Sequence, residues 1–359
     1  MKKFIVTYGT RPELIKLVPL IYELRKLTSI TTIVVNTGQH IDMLKPLEKF
    51  FEITPDFELN VMQPNQTINK TLSTVLIKIE NLFLEIKPDL VFIQGDTSTV
   101  LATGMACFNM GVPVAHVEAG LRSFDLTQPF PEEFNRKVVS LFAQYNFAPT
   151  ELSKINLIAE KIAEKKIFIT GNTVIDTIQI IAEKMQLSKH INPNKILITA
   201  HRRENHGEGM LNICKAIKEI IKLKSDVEFI WPVHSNPNVK VVVEQELKDL
   251  KQVQLLSPLD YFDLLQHMAN SKIIWTDSGG IQEESPYFKK PVLILRNVTE
   301  RPEVVSSGFG VLVGTNVEKI VTETTKLFSD INYYTDLTKG KNPFGDGNAA
   351  KKIIEIVTC

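Results

Sequence analysis

Short apolar runs alternate with amphipathic stretches along nearly the whole chain, and that order leaves few folds open. Phe4–Val6, Thr32–Val35, Leu90–Ile93, Val112–Val117 and Tyr145–Ala148 read as strands. Between and after them, residues 13–27, 67–86, 97–109, 132–143 and 151–163 carry helical periodicity. Strands that alternate with helices call for a parallel sheet covered on both faces. A second series follows the polar segment Ser188–Asn194: Ile196–Thr199, Val227–Trp231, Val253–Leu256, Ile273–Trp275, Val292–Leu295 and Gly310–Val313. A chain of 359 residues is also long for one core. The expected fold class is therefore α/β: two Rossmann-like, doubly wound domains, 1–170 and 171–348, joined within 165–194. The last helix, 349–359, follows a turn cluster at Asn342–Gly347 and is expected to pack back on the first domain.

Composition removes several classes of partner. Lys plus Arg and Asp plus Glu are 41 each, so no overall field draws the chain to nucleic acid or to an anionic membrane. An anionic ligand must be held by a local site. Cys107, Cys214 and Cys359 are scattered and lack metal spacing, which points to a reducing cytoplasm rather than a disulfide framework. The apolar stretch after Met1-Lys2-Lys3 stops at Thr7, too early for a signal peptide. No run approaches the roughly 18 apolar residues of a membrane span.

In doubly wound sheets ligands sit beyond the carboxyl ends of strands, so the turns after strands are where chemistry is to be sought, with a cleft between two such domains as the expected site. The first turn is Gly9-Thr10-Arg11-Pro12-Glu13. Thr10 and Glu13 have capping-box spacing and Pro12 suits a first helical turn. Arg11 and Lys16 are extra cations near a helix start, where a polyphosphate fits. No G-x-G-x-x-G fingerprint is present there, which weakens a hydride-transfer reading with NAD. Asp96, in Gln94-Gly95-Asp96-Thr97, is most simply a helix cap. Glu118 ends another strand, with Gly120 allowing a close approach. Glu132 and Glu133 open a helix, where the dipole alone favours acids. Three carboxylate sites at successive strand ends of one sheet are harder to dismiss together, because acid/base chemistry needs such groups.

In the second half, His201-Arg202-Arg203-Glu204-Asn205 follows a buried-looking strand and reads either as a solvated charge run or as a site. His201 titrates near neutrality and the arginines suit phosphate. His234 ends the next strand. Thr276-Asp277-Ser278-Gly279-Gly280-Ile281-Gln282-Glu283-Glu284 is either an ordinary strand–turn–helix junction with Ser278 as cap, or an anion seat. In the second reading the two glycines admit a phosphate close to unpaired N–H groups, and Glu284 meets a sugar hydroxyl. Pro286 makes the helix there short or bent. Arg301 begins a further helix, with Thr299 and Glu303 suggesting a cap.

Taken together, GTRPE at 9–13, QGDT at 94–97, HVEAGLR at 116–122, PEEFNR at 131–136, HRREN at 201–205, PVHSNPNV at 232–239, TDSGGIQEE at 276–284, TERPE at 299–303 and NPFGDG at 342–347 span the chain in order. This set resembles the non-hydrolysing UDP-N-acetylglucosamine 2-epimerase family. The resemblance implies a GT-B architecture, a homodimer, and interconversion of UDP-GlcNAc and UDP-ManNAc with no NAD and no metal. It implies Asp96, Glu118 and Glu132 as the acid/base set and His201 as assistant to the departing diphosphate. Arg11, Lys16, Ser278, Gly279, Gly280, Glu284 and Arg301 would bind the nucleotide, with Glu284 on the ribose. Pro12-Glu13 stands where hydrolysing relatives carry Ala-Asp. An activator site for a second UDP-GlcNAc draws on Gln39, Arg202 and His234, but Ile41-Asp42 departs from the family's usual basic residue and Glu or Gln. The alternatives are a 2-epimerase for a different UDP-sugar (6-deoxy or 2,3-diacetamido), a GT-B glycosyltransferase, and a non-catalytic nucleotide-sugar sensor.

Overall fold

A computed structural model of the chain describes residues 1–63, 66–187 and 190–359. Part of the expected polar boundary, Ser188 and Lys189, lies outside the described residues, as does the side chain of Ile41. The chain divides into two compact units, Met1–Thr177 with Phe344–Cys359, and Ile178–Pro343.

The strands of the first unit are β1 (Lys2–Tyr8), β2 (Ile30–Asn36), β3 (Phe57–Glu58), β4 (Leu90–Gln94), β5 (Val114–Val117), β6 (Tyr145–Ala148) and β7 (Ile167–Ile169). They form one sheet in the order β3-β2-β1-β4-β5-β6-β7, and every pairing is parallel. Helices α1 (Arg11–Arg25), α2 (Ile41–Phe50), α3 (Ile68–Ile86), α4 (Ser98–Met110), α5 (Glu132–Phe142), α6 (Glu151–Ala159) and α7 (Thr173–Lys184) make the connections and lead on. The core of this unit packs Val75, Ile79 and Phe83 of α3 against Ala102 and Ala106 of α4 and Val91 and Ile93 of β4. Each such side chain, taken fully out of water, contributes about 1.5–3 kcal/mol for the larger aliphatics.

The second unit repeats the plan. Its strands are β8 (Lys195–Thr199), β9 (Glu228–Pro232), β10 (Val253–Leu256), β11 (Ile273–Thr276), β12 (Val292–Ile294) and β13 (Gly310–Leu312), in the order β10-β9-β8-β11-β12-β13 and all parallel. Its helices are α8 (Glu208–Leu223), α9 (Pro237–Leu247), α10 (Tyr261–Asn270), α11 (Gly279–Glu284), α12 (Pro302–Ser306), α13 (Val317–Ser329) and α14 (Ile331–Asp336). Trp231, Trp275 and Phe229 are fully buried at the centre, with Phe229 edge-on to Trp275 at 5.6 Å. The final helix, α15 (Ala349–Thr358), belongs to the first unit and packs on α1. There the Ala350 N–H donates to Asp176 Oδ1 at 2.9 Å.

In both sheets the order of strands reverses between the first and the fourth strand of that unit, while all strands stay parallel. The switch points therefore lie between β1 and β4 in one unit, and between β8 and β11 in the other. Crossovers leave in opposite senses at those places, so the following turns diverge and leave room for a ligand. Several elements escape the periodicity of the sequence, β3, β7 and α2 among them. β3 has 2 residues and β7 has 3, too few to establish alternation. Helix α2 is interrupted by Pro46, which masks its pattern.

Candidate active site

At the first unit's switch point, Glu13 of α1 is buried and reaches back across the turn. Its Oε2 accepts from Gly9 N–H at 2.6 Å and Thr10 N–H at 3.3 Å, and its Oε1 accepts from the Thr97 hydroxyl at 2.6 Å. The turn after β1 is thus tied to the turn after β4. Burial pushes the Glu13 carboxyl up to about 7, against the opposing pull of these hydrogen bonds. Arg11 is exposed beside it, at the start of α1.

The cap of α4 is Thr97, whose hydroxyl accepts from Val100 N–H at 3.3 Å. Asp96 is therefore not the cap that the sequence suggested. It stands one residue earlier, with its carboxylate on Arg136 at 2.6 Å and its carbonyl accepting from Asn135 Nδ2 at 2.8 Å. Both partners come from α5, so the QGDT and PEEFNR segments meet at Asp96. His116, buried on β5, contacts the Gly95 carbonyl through Nε2 at 2.8 Å. Burial lowers this imidazole to about 4, so it is the neutral ring, with its Nε2–H donating.

Glu118 follows β5 with φ +67, a left-handed conformation that a non-glycine residue holds only under constraint. Its Oε2 pairs with the Lys16 ammonium and accepts from Asn172 Nδ2 at 3.3 Å. Lys16 thus meets an acid of its own unit. Gly120, at φ +92, does make a close approach, but to α6 rather than to a ligand. A Cβ there would meet the Ser153 carbonyl oxygen at 2.2 Å. The two acids that open α5 separate cleanly. Glu133 is buried and accepts from Ser123 N–H at 3.0 Å and Phe124 N–H at 3.1 Å, so it holds the preceding loop. Glu132 is half-buried and makes no hydrogen bond or ion pair among the described residues. Gln39, placed by sequence in an activator site, accepts through Oε1 from the Thr99 hydroxyl at 2.8 Å.

At the second unit's switch point, Asp277 is fully buried between the turns after β11 and β8. Its Oδ2 accepts from the backbone N–H of His201 at 2.9 Å, that of Arg202 at 2.8 Å and Asn205 Nδ2 at 2.9 Å. His201 Nδ1 lies 3.5 Å from Asp277 Oδ1, and the His201 ring stacks on His234 at 5.5 Å and 16°. His234 Nδ1 accepts from Asn236 N–H at 3.1 Å, so its neutral ring carries the proton on Nε2. Desolvation lowers the His201 pKa. The Asp277 charge raises it, while His234, Arg202 and His206 lower it further.

Helix α11 is short, as Pro286 foretold, and runs into a 3-10 turn at Ser285–Phe288. Ser278 occupies its cap position, but its side chain makes no capping bond. The next two residues are bare. A Cβ on Gly279 would stand 3.8 Å from an Arg301 guanidinium nitrogen and 3.9 Å from one of Arg202, and a Cβ on Gly280 would meet only the Ser278 hydroxyl at 3.9 Å. Two guanidinium groups therefore overlook free N–H groups at a helix start. Arg202, which sequence assigned to an activator site, stands at this seat. Arg301 is held by Glu283 through its Nε. The expected Thr299–Glu303 cap does not form, because Arg301 is the cap residue of α12. The Thr299 hydroxyl instead accepts from Arg301 N–H at 3.0 Å and donates to Gln282 at 2.6 Å. Glu284 is buried and accepts from the Tyr261 hydroxyl at 3.2 Å.

Sequence reasoning missed Glu13, Asn135, Arg136, Asn172, Asn205 and Asp277 as site residues. All but Asn172 lie inside the motifs, and for those the signal was available: an acid or amide within a turn motif has to be satisfied by a neighbouring turn.

Two parallel sheets of Rossmann order in one chain, each with polar turns at its switch point, define a protein of the GT-B class. A family model described as UDP-N-acetylglucosamine 2-epimerase matches residues 22–358. The UDP-N-acetylglucosamine 2-epimerase of Neisseria meningitidis serogroup A is 42% identical over 365 residues, covering 98% of this chain and 98% of that protein. The enzyme of the same name from Escherichia coli strain K12 is 43% identical over 366 residues, covering 98% and 97%. A crystal structure of the Neisseria meningitidis UDP-GlcNAc 2-epimerase bound to UDP-GlcNAc superimposes with a TM-score of 0.90 at 42% identity, over 99% of each chain. The chain belongs to the UDP-N-acetylglucosamine 2-epimerase family and is an enzyme of that family.

Proposed function

We propose that this enzyme interconverts UDP-GlcNAc and UDP-ManNAc by anti elimination and re-addition of UDP. The observation that carries this reading is the placement of Asp96 and Glu118 after the adjacent strands β4 and β5, each held by a cation, with Glu132 opening the helix whose Asn135 and Arg136 hold Asp96. The proton on carbon 2 of the sugar is weakly acidic, so its removal is coupled to departure of UDP from carbon 1. A carboxylate takes the carbon 2 proton as the carbon 1–oxygen bond breaks. The electrons form the carbon 1–carbon 2 double bond of a 2-acetamidoglucal, and UDP takes up the negative charge. A carboxylic acid on the other face returns a proton to carbon 2 while the diphosphate oxygen reattacks carbon 1, which inverts carbon 2. The route uses groups that give and accept protons on two faces, and no NAD or metal.

The departing UDP must be retained, since its loss strands the glycal. Arg11, Lys16, Ser278, Gly279, Gly280 and Arg301 are assigned to the nucleotide on the family resemblance, with Glu284 toward the ribose and Arg202 beside Gly279. His201 assists the diphosphate as it leaves. The enzyme acts as a cytoplasmic homodimer, and its product supplies ManNAc-type units for surface polysaccharide. Incubation with UDP-GlcNAc alone in heavy water, followed by proton NMR, tests the proposal. Deuterium at carbon 2 in both epimers is expected. UDP-ManNAc formed without exchange, or no product at all, would sink it.

A further inference from the structure

We infer that Asp277 is a positioning residue that sets the tautomer of His201 and stabilises its imidazolium form during departure of the diphosphate, an inference that rests on the reaction proposed above. All three donors from the HRREN turn converge on one oxygen of Asp277, the two backbone N–H groups and Asn205 Nδ2 described above. The other oxygen, Oδ1, stands opposite His201 Nδ1 at 3.5 Å. That oxygen is buried, accepts no hydrogen bond among the described residues, and faces the imidazole instead.

The chemistry follows from the buried charge. With Asp277 facing Nδ1, the neutral ring carries its proton there, and Nε2 is the nitrogen left for a ligand. When Nε2 takes on a proton, the resulting imidazolium lies against a carboxylate fully shielded from water, where the attraction is stronger than at a surface. The side chain of His201 is 43% exposed, so the ring remains accessible. The groups that face it are Asp277, stacked His234, Arg202 and His206, and of these only Asp277 favours the charged ring. An aspartate that orients a histidine and stabilises its charged form without itself accepting the proton has the logic of a catalytic triad.

The discriminating variant is Asp277→Asn. Its amide oxygen preserves an acceptor for the turn, while its NH2 group faces Nδ1 and forces the proton onto Nε2. With UDP-GlcNAc as substrate, kcat is expected to fall about 100-fold or more, with KM changed by less than about 3-fold. The limb of the pH–rate profile governed by protonated His201 is expected to move to lower pH, because the one group raising its pKa is gone. Asn205→Ala loosens the same turn without touching the ring and should keep the wild-type profile. If Asn205→Ala and Asp277→Asn lose activity alike and with unshifted profiles, Asp277 is only a turn anchor and the inference falls. Nitrogen-15 shifts of the His201 ring in the wild-type enzyme read the pairing without turnover. A protonated Nδ1 in the neutral ring is expected, and a bare Nδ1 overturns the inference even if the variant fails to fold. The ring shifts judge the pairing and carbon 2 exchange judges the reaction, so the two can fail separately.

Discussion

Glu13 carries the sharpest consequence at the scale of single residues. Its carboxyl is pushed up to about 7 by burial, so between the unfolded value and that pH the folded chain holds a proton the unfolded chain has released. Its contribution to stability is thus full below about pH 4.5 and is lost as pH rises through about 7, a change of roughly 3 kcal/mol at most. Urea unfolding across that range should show wild type losing stability relative to Glu13→Gln as pH rises, then a constant difference above about pH 8. A difference independent of pH rules the assignment out. Gly120 offers a second test. Its φ of +92 and the Ser153 carbonyl 2.2 Å from any Cβ make Gly120→Ala costly, about 3 kcal/mol or more in the same assay. The sequence marked Gly120 as a point of close approach. It did not say to what, because Ser153 lies in another helix.

Among elements, α4 depends on Thr97 twice, for its cap at Val100 N–H and for the hydroxyl given to Glu13. Thr97→Ala is expected to lower stability by about 1–2 kcal/mol, and Thr97→Ser to retain most of it, by thermal or chemical unfolding. Equal losses would show that the methyl group and not the hydroxyl matters. The periodicity located the long elements well. Tyr145–Ala148 and Val253–Leu256 stand as expected, and residues 67–86 and 132–143 became Ile68–Ile86 and Glu132–Phe142. It lost β3 and β7 because a strand of 2 or 3 residues has no period of its own and exists by pairing with its neighbour. Asp96 was misread for a related reason. Two adjacent polar residues, Asp96 and Thr97, both suit a cap, and Arg136 draws Asp96 away.

Across the whole molecule, the two units have separate sheets and cores, and the three cysteines report on both. Cys107 is buried in the first unit and Cys214 in the second, while Cys359 is exposed. Burial raises both inner thiols, Cys214 to about 12. A chromogenic disulfide reagent at neutral pH should therefore titrate one thiol in the native protein and three after unfolding. Rapid reaction of two or more in the native state contradicts the packing. Sequence by itself determined the α/β class, the two Rossmann-like series and the family, because strand–helix alternation and turn motifs are written in contiguous residues. It also named the three carboxylates. Only the tertiary structure decided which acids serve as struts and which remain available. Glu13 and Asp277 are fixed by donors from distant turns and Glu133 by the loop just before its helix, whereas Asp96 and Glu118 face Arg136 and Lys16 across adjoining turns. The physical reason is that a buried polar group is satisfied by whatever the fold brings beside it, and parallel sheets bring together turns that the chain separates by dozens of residues.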